Sequence, residues 1–150
     1  MVNELMNAGF EFVDHVAIAV KQGELDAQVE KYKALGFTEL HREEVLGKHQ
    51  VREVLMQIGA GPNLIQLLEP LSPESPVAKQ IEKAGGRGGF AHLAFRVKDA
   101  AFAYKRALEL GAKPGPVTAG PMELNIPCIE GIGGSLIYLV DRWRGKGGAQ

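Results

Sequence analysis

The sequence is poor in cysteine, in excess charge and in long apolar runs, and each shortage excludes something. Cys128 is the only cysteine among 150 residues, so neither an intrachain disulfide nor a zinc knuckle can form. Lysine and arginine number 17 against 18 aspartates and glutamates, a net charge of −1 with a pI near 6.4. The broad basic footprint of a nucleic-acid binder is therefore missing. Nowhere do 18 apolar residues follow one another, so no segment reads as a membrane-spanning helix. The first ten residues carry Glu4 and lack the basic start and apolar stretch of a signal peptide. The expectation is a cytoplasmic chain whose partner is a small molecule, with no nucleic acid or membrane involved.

What is present is a chain of 45% apolar content with 19 glycines. At this length one domain buries about 68–70% of its unfolded surface. The glycines punctuate short pieces, which favours strands and turns over a helical bundle. Phe12 to Val20 reads as a strand. A helix follows from Glu24 to Leu35, with Leu25, Val29, Tyr32 and Leu35 at helical spacing and Gly36 as its end. Strands are expected at 37–45, 51–58 and 64–68. A link through Pro70, Pro73 and Pro76 then leads to a short helix over 77–84 and the glycine run 85–89. The order then restarts, with a strand at 90–97, an N-cap at Asp99, a helix over 100–110 and three short strands by about Val140.

Two βαβββ units are thus expected, and the residues themselves repeat. HVAIAV at 15–20 matches HLAFRV at 92–97, and LIQLLE at 64–69 matches LIYLVD at 136–141. Both matches fall in the same order and at similar offsets, as a duplication requires. Strand parity sets Val16, Ile18 and Val20 on one face, with His15, Ala17 and Ala19 on the other; Leu93, Phe95 and Val97 likewise oppose His92 and Ala94. A face of histidine and small alanines reads as a pocket floor. Gln66 and Tyr138 occupy equivalent places in the last strand of each unit, so His15, Gln66, His92 and Tyr138 form a candidate donor set. Such a set suits a divalent Co, Zn, Ni, Mn or Fe ion. Taken singly, each has an ordinary reading: a hydrogen-bonded strand histidine, a buried amide, a strand tyrosine. His41 and His49 sit among charged neighbours and read as solvated, and Cys128 reads as a small core residue. The 85–89 run precedes a strand and lacks a phosphate-loop signature, so it reads as a turn. Residues 143–150 read as a weakly ordered basic tail.

These residues resemble the vicinal oxygen chelate (glyoxalase/dioxygenase) superfamily. Residues 14–99 resemble methylmalonyl-CoA epimerase through DHVAIAV at 14–20, ELHREE at 39–44, VREVLM at 51–56, IQLLEPLSPESPVAK at 65–79 and GFAHLAFRVKD at 89–99. The resemblance implies His15, Gln66 and His92 as metal ligands and Glu53 as an acid/base. Residues 103–143 are similar to the N-terminal half of 4-hydroxyphenylpyruvate dioxygenase, the half without the iron. Tyr138 departs from the pattern, standing where the superfamily usually has a glutamate that serves as fourth ligand and, in the epimerase, as second acid/base. By spacing, Asn125 matches Glu53 in the second unit, and Glu123 shares its parity.

The fold expected is α+β, two tandem βαβββ modules forming a curved mixed sheet around a cavity with helices outside. The first module covers about 10–70, a linker with a short helix 71–87, the second module about 88–142 and the tail 143–150, all within a single domain. The leading functional expectation is a metal-dependent isomerase of the epimerase type. Glu53 and Tyr138 would be its acid/base residues, and the substrate a carbonyl compound that includes the acyl-CoA class. The alternatives are a 4-hydroxyphenylpyruvate dioxygenase-like oxygenase and a non-catalytic small-ligand-binding protein. A homodimer is expected by resemblance.

Overall fold

A computed structural model describes residues 9–47, 49–115, 127–131 and 135–141. Seven strands and three helices occur in the order β1 (Phe10–Ala19), α1 (Leu25–Ala34), β2 (Thr38–Val45), β3 (Val51–Gln57), β4 (Leu64–Pro70), α2 (Pro76–Lys83), β5 (Gly89–Val97), α3 (Ala100–Glu109), β6 (Cys128–Glu130) and β7 (Leu136–Val140). The fold is α+β with mixed strand pairing: β2, β3, β4 and β1 lie side by side in that order, as do β5, β7 and β6. Residues 15–91 form one compact unit, and those before 15 together with those from 92 onwards form a second.

In the first unit β1 and β4 run parallel, with Ala17 beside Gln66, while β3 is antiparallel to both β4 and β2. Leu25, Val29 and Tyr32 recur on one side of α1 and close over Val20, Val54, Met56, Ile65 and Leu67. Each fully buried leucine or valine there contributes about 1.5–3 kcal/mol. Asp26 in the first turn and Lys31 and Lys33 in the last complement the helix dipole. The helix ends where Gly36 takes φ +101°, a conformation that costs other residues a steric penalty. Its opening amides are met from a distance: Glu69, at the end of β4, accepts from the amides of Gly23 and Leu25.

The opposite face of this sheet differs from the sequence expectation. Ala17 and Ala19 are not an open pocket floor. They are buried in a second cluster with Val51, Leu68, Val77 and Ala91, against which Ile81 packs. Val77 and Ile81 belong to α2, so the small alanines let this helix lie close to the strands. Helix α2 starts on Ser75, whose hydroxyl accepts from the Val77 amide at 3.2 Å, with Pro76 in its first turn.

The second unit repeats the plan. Strands β5 and β7 are parallel with Ala94 beside Tyr138, the repeat of Ala17 beside Gln66, and β6 is antiparallel to β7. Helix α3 covers Val97 and Leu139 with Ala100, Ala103 and Tyr104, and Phe10 and Phe95 pack alongside. Its N-terminus receives Asp99, which accepts from Phe102, and Asp141, which accepts from Ala100 at 2.8 Å. Of the three strands expected after α3, β6 and β7 are present and Pro114 makes an isolated bridge to Ile129. Glu123, Asn125 and the tail 143–150 lie outside the described residues.

Candidate functional site

The sequence-selected residues fall into two groups, one in each unit. In the first, His15 is 5% exposed and Gln66 7%. His15 shares its face of β1 with Ala17, and Ala17 pairs with Gln66, so the imidazole and the amide lie on the same face. On β3, Leu55 pairs with Gln66 and Glu53 with Leu68, which sets Glu53 on that face too. Two of the three are in contact: the Gln66 side-chain amide Nε2 donates to Glu53 Oε1. Because the NH2 end is used on Glu53, the amide oxygen is the end of Gln66 that can face a cation or a polar ligand.

In the second unit His92 and Tyr138 share a face of the β5/β7 pair. Their rings are in contact, with centroids 4.5 Å apart and planes inclined by 55°. Cys128 pairs with Tyr138 across the β6/β7 ladder. Burial pushes the Cys128 thiol up to about 11, against the opposing effect of hydrogen bonds from the Tyr138 side chain and the Ile137 backbone. Cys128 is buried, as expected, but it also borders a site residue, which its sequence neighbours do not reveal. Arg96, on the same face of β5 by parity, pairs with buried Asp14 at 2.9 Å and lies over the Phe12 ring at 5.6 Å. His41 is exposed against Glu43 at the far edge of the first unit, consistent with a solvated strand.

A model of the hydroxyphenylpyruvate dioxygenase N-terminal family matches residues 2–149. The chain belongs to that family. The dioxygenase likeness thus runs through both units rather than the last third alone, and with it the chain joins the vicinal oxygen chelate superfamily. Among curated relatives, the 4-hydroxyphenylpyruvate dioxygenase of Pseudomonas sp. (strain P.J. 874) is 41% identical over 112 residues, which is 75% of this chain and 28% of that protein. The match therefore spans less than a third of the length of that enzyme. Among solved structures, methylmalonyl-CoA epimerase from Mycobacterium tuberculosis matches with a TM-score of 0.73 at 32% identity, over 89% of each chain. A variant of Streptomyces coelicolor methylmalonyl-CoA epimerase in complex with 2-nitronate-propionyl-CoA matches with a TM-score of 0.71 at 30% identity, over 88% of this chain and 97% of that one.

Both kinds of relative are named as enzymes, and such enzymes typically use a divalent metal. Among the described residues, no three His, Cys, Asp or Glu side chains cluster as a metal set. The donors this family member offers are of another mix: imidazoles at His15 and His92, an amide at Gln66 and a phenol at Tyr138. An imidazole with an amide oxygen on the same face, as His15 and Gln66 offer in the first unit, suits a borderline divalent ion. The phenol is the departure, since no carboxylate stands at that position.

Proposed function

We propose that this chain is a proton-abstracting isomerase of the methylmalonyl-CoA epimerase type, with Glu53 as the base. The observation that carries the proposal is the Gln66–Glu53 hydrogen bond on the face that also holds buried His15. An amide donating to a carboxylate fixes its direction on the face it shares with His15. The ligands that the family resemblance implies for a cation are His15 and Gln66 in the first unit and His92 in the second; such a cation would supply polarisation of the substrate carbonyl. The chain's own residues do the remainder: Glu53 takes the α-proton and Gln66 keeps that carboxylate in place. The acyl-CoA named with the epimerase structures makes a thioester bearing an acidic α-proton the substrate class to try first.

The test is exchange of the α-proton of methylmalonyl-CoA in deuterated water, followed by NMR on Co²⁺-supplemented protein. Wild type should exchange it, and Glu53→Gln should lose about 10²–10⁴ of the rate. Wild-type protein that leaves the α-proton untouched sinks the proposal. One observation favours a second reading, the family match over residues 2–149. It supports a dioxygenase-related module, either an oxygenase or a non-catalytic ligand-binding one. Oxygen consumption with aromatic 2-oxo acids would identify the oxygenase, and ligand binding without turnover the binding module.

A further inference from the structure

Tyr138 has an unusual setting for a residue at a ligand position. Its strand neighbour on β5 is Ala94, whose methyl leaves the phenol ring room to lean diagonally onto His92, 4.5 Å between centroids. Diagonal neighbours on adjacent strands are within reach of aromatic side chains. On its other flank Tyr138 pairs with buried Cys128 across the β6/β7 ladder. Cys128 has little freedom of its own. Its Sγ contacts the Ile129 carbonyl at 3.8 Å and lies 2.5 Å from where a Cβ on residue 115 would stand, a place kept open by Gly115. The tyrosine is thus flanked on both sides, by the His92 imidazole and by Cys128.

We infer that Tyr138 is a positioning residue for His92, seated by Cys128, and is not itself a donor to a cation. A ligating phenol must give up its proton and aim its oxygen at the ion. The Tyr138 ring instead lies against the His92 imidazole and stands beside buried Cys128 on the neighbouring strand. What the ring supplies is orientation: the groups that fix a ligating histidine's ring are worth about as much as some ligands. The part of this inference that concerns affinity rests on the cation site proposed above; the part that concerns the ring contact does not.

The experiment compares wild type with Tyr138→Phe and Tyr138→Leu by two readouts, each variant first checked for native circular dichroism. In metal-free protein, the His92 ring protons should be displaced by the aromatic ring current in wild type and Tyr138→Phe, and return to ordinary positions in Tyr138→Leu. On titration with Co²⁺, Tyr138→Phe should bind as wild type does, whereas Tyr138→Leu should bind about 10–100-fold more weakly. If Tyr138→Phe loses as much affinity as Tyr138→Leu, or if Fe³⁺-loaded wild type shows a phenolate-to-metal absorption band that Tyr138→Phe lacks, the phenol is a donor and the inference is overturned. Undisplaced His92 protons in wild type overturn it as well. Wild type that takes up no Co²⁺ while the ring-current displacement persists removes the cation site and leaves the positioning contact standing.

Discussion

Glu69 shows how much one buried carboxylate can organise. It is 3% exposed, accepts the Gly23 and Leu25 amides at the start of α1, and stands 3.3 Å from Arg52. Replacing it by alanine leaves the Gly23 and Leu25 amides without this acceptor, while Arg52 keeps Glu44, and should cost about 2–3 kcal/mol in urea unfolding. Cys128 gives a second prediction at this scale. Unfolded, its thiol ionises near 8.5; folded, near 11. Between those values the unfolded chain has released a proton that the native chain keeps. Stability should therefore be intact below pH 8.5 and fall as pH rises towards 11, by roughly 1.4 kcal/mol per pH unit. Cys128→Ala should remove that slope when unfolding is measured from pH 8 to 10.5. The sequence displays both runs that end in these acids, LIQLLE and LIYLVD, but not what their last residues do. The amides that Glu69 accepts lie 44 and 46 residues away, beyond any local pattern.

Helix α2 changes the meaning of the alanines. Parity alone puts Ala17 and Ala19 on the histidine face, which is correct, yet whether a small side chain faces a void or a close-packed helix is decided by an element some 60 residues later. Here Val77 and Ile81 decide it. Ala17→Val should destabilise the protein by about 1–3 kcal/mol through overpacking; an unchanged or raised melting temperature would mean that this part of the face is open. Ser75→Ala should cost about 1 kcal/mol, since its hydroxyl caps the same helix. Registers were legible only as far as loop lengths repeat. Leu55 pairs with Gln66, and Cys128 with Tyr138, so the two hairpins differ by one residue. Counting back from the last strand therefore matches Asn125 to Glu53, while the pairing sets Cys128 in the place of Leu55. A one-residue slip of this kind reverses the face of every side chain.

For the whole molecule, duplication is the feature that the sequence carried best. The paired strands Ala17/Gln66 and Ala94/Tyr138 repeat one another, and each unit's last strand ends in an acid that meets the amides opening that unit's first helix, Glu69 for α1 and Asp141 for α3. The amides they accept belong to different helices. The losses from Glu69→Gln and Asp141→Asn should therefore add within about 0.5 kcal/mol in the double variant; a clear excess would reveal coupling between the units. The copies have diverged most where chemistry would sit, an amide beside a carboxylate in one and a phenol beside a thiol in the other.

That divergence limits the order in which the second copy can go on changing. A methyl group at position 115 would run into Cys128 Sγ, so Gly115→Ala is disfavoured for as long as the cysteine remains. Cys128→Ala removes the 2.5 Å clash, leaving the backbone carbon and oxygen of residue 128 at 3.3 Å, and also changes the neighbour of Tyr138 across the β6/β7 pair. The two positions are thus expected to covary in descendants of this chain, with the sulfur lost first and the glycine released afterwards. Once alanine is fixed at 115, a return to cysteine at 128 is closed.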